Sequence, residues 1–202
     1  MKKQKHWDFM LPVTLVVAII VTLTVAICVK RTTTKMTQYS FDDLAAKTRS
    51  VAAQFYEATQ TDKIILNAMA ALLESQPEEN WLDVLNAFDI QTSFVTYIEV
   101  LTPDNQLLLQ DGTRIDVSGR LDFETEAAKG AYVSNREQNL ADPEDYVLRN
   151  AVPVVKRGKT IAMLYGVASL NQLSQNYTVD IYGGRAFVLG VDGTSGDFLL
   201  DT

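Results

Sequence analysis

Residues 93–110, SFVTYIEVLTPDNQLLLQ, mark the point at which the chain changes from helical to strand periodicity. Residues 93–101 are rich in β-branched and aromatic side chains, which favour a strand. Residues 102–105 carry the proline, aspartate and asparagine that are typical of a turn, and residues 106–110 return as a second strand. This stretch therefore predicts a β-hairpin at the start of a sheet.

Downstream of the hairpin, glycine-containing turns separate short apolar segments. Loops are expected at residues 111–119 and 135–145, and a short helix at residues 123–129 that ends at Gly130. Five strands are predicted in all, at residues 93–101, 106–110, 131–134, 146–155 and 160–169. The expected fold class is α+β, with a largely antiparallel five-stranded sheet and its flanking helices on one side.

A second hairpin is predicted near the C-terminus, after a helix at residues 170–177. Gly183 and Gly184 precede a strand at residues 185–191, and the turn Asp192-Gly193 leads into a last strand at residues 197–200. A two-stranded hairpin is marginal alone in water. We therefore expect residues 183–202 to begin a second domain that the chain does not complete.

Upstream of the first hairpin, residues 32–75 contain neither proline nor glycine, and their apolar residues recur at helical spacing. We expect one long stalk helix over residues 30–75. Two roles remain open for it: parallel dimerisation along its length, and packing of its second half on the domain's own sheet. A second, short helix is expected after Pro77, with Trp81 and Leu85 on its apolar face.

Residues 9–29 carry no charge and are long enough, at roughly 32 Å as a helix, to cross a bilayer. Basic residues lie on both sides of this segment, so their count does not decide its orientation. A charged tail before a first apolar run is the layout of a signal sequence. We therefore expect residues 1–8 in the cytoplasm and residues 30–202 outside it.

Two alternatives would replace this anchor. Cleavage would release the product, but the apolar run is longer than a signal-peptide core and no A-x-A site follows it. Lipidation of Cys28 would tether the chain, but Ile27 stands where a lipobox has a small residue. An uncleaved membrane helix is the expectation we keep.

The residue inventory excludes several kinds of function. The net charge is −7, which argues against nucleic acid as a partner. His6 and Cys28, the sole histidine and cysteine, lie in the tail and the span, so the outer region has no disulfide, nucleophile triad or zinc site. Residues 192–197 lack EF-hand spacing, and no glycine motif fits a nucleotide. We expect no cofactor or metal, although a paired-carboxylate surface hydrolase remains open.

Several local patterns, taken in order, carry a resemblance to a known family. They are YIEVLTPDN at residues 97–105, FETEAAKGAYVS at residues 123–134, AVPV at residues 151–154 followed by Gly158-Lys159 and YGV at residues 165–167, and FVLGVDG at residues 187–193. Placed after an anchor and a long helix, they resemble the double Cache family of extracellular bacterial sensors, whose modules are PAS-like. The resemblance implies a membrane-distal sensor module at residues 76–182 and the start of a membrane-proximal module at residues 183–202.

The resemblance also implies a function. Such a receptor region senses a small molecule, possesses no catalytic site of its own and drives an output domain such as a diguanylate cyclase, a histidine kinase or a chemoreceptor rod. A homodimer through the stalk helix is expected. The alternative is a membrane-anchored scaffold protein with the same fold, in which the pocket is empty and the long helix mediates assembly.

A ligand pocket is expected between the sheet and the short helix. Six side chains combine aromatic walls with cations that can bind a carboxylate: Tyr97, Arg120, Phe123, Tyr132, Tyr146 and Arg149. Arg120 is the first candidate for binding the ligand, because it lies just before the pocket helix. Compared with the amino-acid-sensing subclass, Asp122 stands where tryptophan is expected and Ser169 replaces an aspartate. The expected ligand is therefore a carboxylate or another small polar molecule.

Overall fold

The computed structural model describes residues 4–87, 94–176, 189–191 and 198–201. The helices are α1 (Gln4–Ser75), α2 (Trp81–Asn86), α3 (Phe123–Lys129) and α4 (Leu170–Asn176), with a 3₁₀ turn at Glu78–Asn80. The strands are β1 (Tyr97–Leu101), β2 (Gln106–Leu109), β3 (Arg114–Asp116), β4 (Tyr132–Val133), β5 (Glu137–Gln138), β6 (Tyr146–Lys156), β7 (Lys159–Ser169), β8 (Leu189–Val191) and β9 (Phe198–Asp201). The α+β class is confirmed, and the chain divides into two units, residues 1–52 and 53–202.

The first unit is the N-terminal part of α1. Its large apolar side chains between Val13 and Val29 are each at least 46% exposed, on every side of the helix. The hydroxyls of Thr22 and Thr24 donate to the carbonyl oxygens four residues earlier, at 2.8 Å, so the helix itself satisfies these polar groups. Among the described residues, α1 is the helix that is long and apolar enough to cross a membrane.

In the second unit, the C-terminal part of α1 packs on the sheet. Leu66, Met69 and Leu73 recur every three or four residues and are at most 1% exposed. They share an apolar cluster with Trp81 of α2, whose indole nitrogen donates to the Leu73 carbonyl at 3.0 Å. The second half of the helix therefore has the packing role that the sequence left open.

Strands β1 to β7 form one antiparallel sheet in the order β3-β2-β1-β7-β6-β4, with β5 also pairing with β6. Each of the five predicted strands overlaps an observed strand, but the prediction of a five-stranded sheet was wrong because the sheet has seven strands in the part of the chain that the structure describes. The prediction of loops was wrong at β3 and β5, which lie within residues 111–119 and 135–145. These strands have three and two residues, too few for a two-residue alternation to show in the sequence.

The β6–β7 hairpin has a tight turn at residues 156–159. Arg157 and Gly158 have φ angles of 51° and 78°. Positive φ at both central residues is the feature of a type I′ turn, whose twist matches that of the flanking strands. The turn sets the pairing of Lys156 with Lys159, and an irregularity between Val154 and Val155 then shifts the register along the rest of the two strands.

The prediction that all helices lie on one side of the sheet was wrong. Helices α1 and α2 cover the face that carries Ile98 and Leu164, whereas α3 covers the opposite face, where Phe123 packs with Val147 and Tyr165. Strand side chains alternate between faces, and both faces of this sheet are apolar enough to need a cover.

Strands β8 and β9 pair with each other as a separate antiparallel sheet. They overlap the strands predicted at residues 185–191 and 197–200. The predicted glycine pair at 183–184 and the turn at 192–193 lie outside the described residues.

Candidate functional site

Polar side chains occupy the centre of the sheet face that α3 covers. Register places Tyr97 of β1 and Arg149 of β6 on either side of Val167 in β7, and Glu99 of β1 beside Tyr165 in the next row. Paired positions direct their side chains to the same face. The register alone thus brings Tyr97, Glu99 and Arg149 together, from residues about 50 positions apart in sequence.

These side chains form a buried ion network. The Arg149 guanidinium donates from Nε to Oε1 of Glu99 at 3.0 Å, and its Nη1 lies 2.6 Å from Oε1 of Glu137. The side chains of Arg149 and Glu99 are 2% and 0% exposed, whereas that of Glu137 is 34% exposed. We call Tyr97, Glu99, Glu137 and Arg149 the buried polar cluster.

Burial and charge shift the ionisation of this cluster in defined directions. Burial raises the pKa of the Glu99 carboxyl, and the Arg149 charge opposes that rise without cancelling it. Burial acts to lower the pKa of Arg149, but Glu99 and Glu137 together raise it. The two directions are compatible, because one guanidinium faces two carboxyl groups, of which Glu99 is fully buried and Glu137 is partly exposed.

Three atoms of the buried polar cluster have no hydrogen-bond partner among the described residues. They are Oη of Tyr97, Oε2 of Glu99 and Nη2 of Arg149, all buried. Such a group costs about 1–3 kcal/mol, and more when it is charged. A cluster with a free donor, a free acceptor and a free hydroxyl is suited to recognise a polar group.

A second network lies beside the first and centres on Glu126 of α3. Its carboxylate accepts hydrogen bonds from Lys129 at 2.7 Å, from the Tyr132 hydroxyl, and from the Tyr165 hydroxyl at 3.3 Å. Burial acts to raise the pKa of Glu126, but these hydrogen bonds and the Lys129 charge lower it below the ordinary value. Glu126 is therefore a charged and fully engaged group that fixes the position of Tyr132.

A cleft of about 590 Å³ opens to solvent beside α3, β4 and β5. Its lining residues are Arg120, Leu121, Glu126, Lys129, Tyr132, Val133, Ser134, Asn135, Arg136 and Glu137. Among the described residues, no group of three or more His, Cys, Asp or Glu side chains is placed to hold a metal ion. The charged and polar side chains of the lining can recognise a ligand through charge and hydrogen bonding.

The lining of the cleft has an excess of positive charge. Its two acids are already paired, Glu126 with Lys129 and Glu137 with Arg149. Arg120 donates to the Leu140 carbonyl at 3.1 Å, and the Arg136 guanidinium lies 3.8 Å from the centre of the Tyr146 ring. Neither arginine forms an ion pair with a residue that the structure describes, so the cleft favours an anionic group.

The six predicted site residues lie in different environments. Arg120 and Tyr132 line the cleft, while Tyr97 and Arg149 belong to the buried polar cluster beneath it. Phe123 is 3% exposed, packs in the apolar core and is not among the residues that line the cleft. Tyr146 is 42% exposed and lies outside the cleft beneath Arg136.

Sequence reasoning missed the five other charged residues of the two networks and the cleft: Glu99, Glu126, Lys129, Arg136 and Glu137. One of them left a signal. Glu99 interrupts the otherwise apolar strand YIEVL, and a charge at a strand position between buried neighbours requires a buried partner. The others stand in a helix and in the stretch predicted as a loop of mixed charge, where nothing in the sequence separates them from solvated residues.

No family model and no curated protein matches the chain. Solved structures do resemble it. The ligand-binding domain of Mlp24 with asparagine superposes with a TM-score of 0.61 at 15% identity, covering 80% of this chain and 70% of that one. The ligand-binding domain of the Pseudomonas fluorescens chemoreceptor CtaA in complex with L-serine gives 0.58 at 12% identity, covering 75% and 67%. The chain has the fold of a Cache sensor domain.

The extracellular domain of rpHK1S-Z16, assigned as a histidine kinase, shares the Cache fold with a TM-score of 0.53 at 14% identity, covering 75% of this chain and 83% of that one. The expected resemblance to Cache sensors is thus confirmed at the level of the fold. Within this fold, the cleft and the buried polar cluster lie on the sheet face opposite the C-terminal part of α1.

Proposed function

We propose that this chain is the extracytoplasmic ligand-sensing region of a membrane-anchored signalling receptor. The observation that carries the proposal is a buried guanidinium with a free Nη2 atom, beneath an open cleft of positive excess, on a Cache fold. A purely structural core would gain stability from apolar residues at these positions, because buried ion networks are costly to desolvate. No catalytic activity is proposed.

The proposed ligand is a small molecule with a carboxylate. Arg120 and Arg136 in the cleft and Arg149 below it supply the cations for such a group. The structural neighbours described above were solved with asparagine and with L-serine, which both contain a carboxylate. Ser169 donates to the buried Asp145 at 3.1 Å, so a loop acid stands beside the position where the amino-acid-sensing subclass has its aspartate. An ammonium group on the ligand is therefore compatible with this site.

A ligand screen tests the proposal on the full chain in lipid nanodiscs. We expect one or more amino acids or monocarboxylates to raise its melting temperature, since a ligand at about 100 times its Kd stabilises by about 2.7 kcal/mol. Arg120→Ala removes a cleft cation and should reduce the shift. Arg114→Ala removes an arginine that pairs with Glu78 and lies outside the cleft lining, and should leave the shift intact. A folded chain that no member of the panel stabilises would count against the proposal.

Residues 9–29 are proposed as the membrane span, with the N-terminus in the cytoplasm. The exposed apolar surface between Val13 and Val29 supports this placement. In a Cys28→Ser background, Glu144→Cys places one thiol in the exposed loop before β6. An impermeant maleimide should label it in intact cells. Labelling that requires lysis would reverse the orientation.

A homodimer through α1 is proposed as the form in which the receptor acts. Apolar and aromatic side chains remain exposed along α1 beyond the span, among them Tyr39, Phe41, Tyr56 and Ile64. The same residues support the second candidate, a scaffold with an empty pocket. The scaffold hypothesis predicts a concentration-dependent dimer whose stability changes neither with any ligand nor with Arg120→Ala. The sensor hypothesis predicts ligand binding that Arg120→Ala weakens.

Residues 183–202 are proposed as the start of a second module, with the β8–β9 pair as its first hairpin. The described neighbours are ligand-binding and extracellular domains, one from a chemoreceptor and one assigned to a histidine kinase. A diguanylate cyclase output is therefore not proposed.

A further inference from the structure

Glu137 belongs to the cleft and to the buried polar cluster at the same time. Its side chain is 34% exposed in the cleft lining, and its Oε1 lies 2.6 Å from Nη1 of Arg149, which is 2% exposed. Glu137 thus separates solvent from the buried guanidinium. It stands on β5, a strand of two residues that pairs with β6 at the margin of the sheet. Few backbone contacts therefore hold it in place.

Glu137 uses the guanidinium incompletely. Nε of Arg149 donates to Glu99 and Nη1 contacts Glu137, while Nη2 has no partner among the described residues. A carboxylate that approaches a guanidinium end-on bonds to both terminal nitrogens in parallel, and such a bidentate pair adds energy and geometric specificity over a single bond. The carboxylate of a free small molecule can adopt that geometry, whereas Glu137 contacts one terminal nitrogen of Arg149, Nη1.

We propose that Glu137 is an internal carboxylate that occupies the ligand's place on Arg149, and that the carboxylate of a small ligand displaces it to bind Nη1 and Nη2 together. This inference rests on the proposed sensing function and names its central contact. The exchange replaces one carboxylate with another, so the site gains no additional buried charge. Glu137 moves toward the solvent that already reaches it, so its release costs little desolvation.

Glu99 is not the carboxylate that the ligand displaces. It lies on β1, between β2 and β7, and its side chain is 0% exposed. It stays on Nε and holds the guanidinium plane fixed for the exchange. The ligand class that follows is a compact molecule with one carboxylate, because a second one would meet the negative charges of Glu99 and the released Glu137.

The test compares binding of two probes to variants of the full chain in nanodiscs by calorimetry. Propionate presents a carboxylate alone, and L-serine adds an ammonium group. Glu137→Ala removes the competitor and should raise the association constant about tenfold or more, which is the range for loss of one charge-assisted hydrogen bond. Glu137→Gln should give a smaller increase. Glu144→Ala, an equal charge change at an exposed position in the loop between β5 and β6, should leave binding within about twofold of the native chain.

The dependence on Arg149 completes the test. In the Glu137→Ala background, Arg149→Lys should abolish the gain, because an ammonium cannot make the parallel pair of bonds. Unchanged or weaker binding by both Glu137 variants, in a native chain that binds a probe, would overturn the displacement and leave the sensing proposal standing. If no variant binds either probe and the wider ligand screen is also negative, both proposals fail. Circular dichroism of each variant confirms that the fold is intact.

Discussion

The Nε atom of Arg149 lies 3.0 Å from Oε1 of Glu99, and this pair spans β7, because β6 and β1 are its two neighbours and do not pair with each other. The pair therefore links the two halves of the sheet on the face that α3 covers. A second arginine–glutamate pair, Arg114 with Glu78, has the same 3.0 Å separation at the surface. The two pairs differ in exposure, which makes their energetic roles separable.

Arg149→Met should destabilise the chain by about 3–5 kcal/mol, since it leaves Glu99 buried without its cation. Arg114→Met, the matched control, breaks a pair whose side chains are 43% and 50% exposed and should cost at most about 1 kcal/mol. Denaturant unfolding of the full chain measures both. Equal losses would show that Arg149 contributes no more than a surface cation.

The stability of the chain should depend on pH through Glu99. Its pKa is raised in the folded state above the ordinary value of 4.5, so the folded chain binds this proton more tightly than the unfolded chain. Between these two pKa values the contribution of Glu99 to stability falls as pH rises. Relative to the native chain, Glu99→Gln should therefore gain stability as pH increases from about 4.5. A difference that is constant with pH, or of opposite slope, would contradict the raised pKa.

Tyr132→Phe removes the hydroxyl that donates to Glu126 and should cost about 1 kcal/mol at neutral pH. The pKa of Glu126 is lowered in the folded state, so its contribution is complete above about 4.5, the ordinary value, and is lost as pH falls through the lowered one. The cost of the substitution should shrink in the same acidic range. Tyr56→Phe, at a side chain that is 67% exposed, should change stability by less than about 0.5 kcal/mol at any pH.

Gly166→Ala should destabilise the chain by about 1–3 kcal/mol through overpacking. An added Cβ would lie 2.7 Å from Cδ1 of Leu66 and 2.8 Å from Cγ2 of Val95, where α1 crosses the sheet. Leu66→Ala alone should also destabilise, by leaving a cavity. The double variant should lose less stability than the sum of the losses in the two single variants. Thermal unfolding measures all three losses. Additive losses would mean that the helix lies farther from β7 than described.

The alternation of apolar residues predicted the hairpin, the short helix and the two long strands close to their observed bounds. The short helix at residues 123–129 is exact, because Asp122 caps it by accepting from the Thr125 amide at 2.9 Å and Gly130 ends it with a φ of 69°. These are local effects that neighbouring residues decide. The side of the sheet on which that helix lies was predicted wrongly, since side chains on both faces can bury a helix.

In the candidate site, too, some residues could be predicted from the sequence and others depend on tertiary contacts. Arg120, Tyr132, Tyr97 and Arg149 could be named from residue type and order, but Glu137 and Glu126 could not. Their roles depend on contacts with residues 12 and 6 positions away or on other strands, such as the 2.6 Å contact between Glu137 and Arg149. An acidic loop gives no indication of which carboxylate turns inward.

The sequence by itself determined an apolar N-terminal helix, an α+β domain and the absence of histidine and cysteine after residue 28, because composition and local periodicity decide these properties. The tertiary structure alone decided that β7 lies between β1 and β6 and so joins Glu99 to Arg149. The order of the strands decides which residues, distant in sequence, lie side by side across the sheet. The free energy of a buried charge depends on those cross-strand neighbours rather than on its neighbours in sequence.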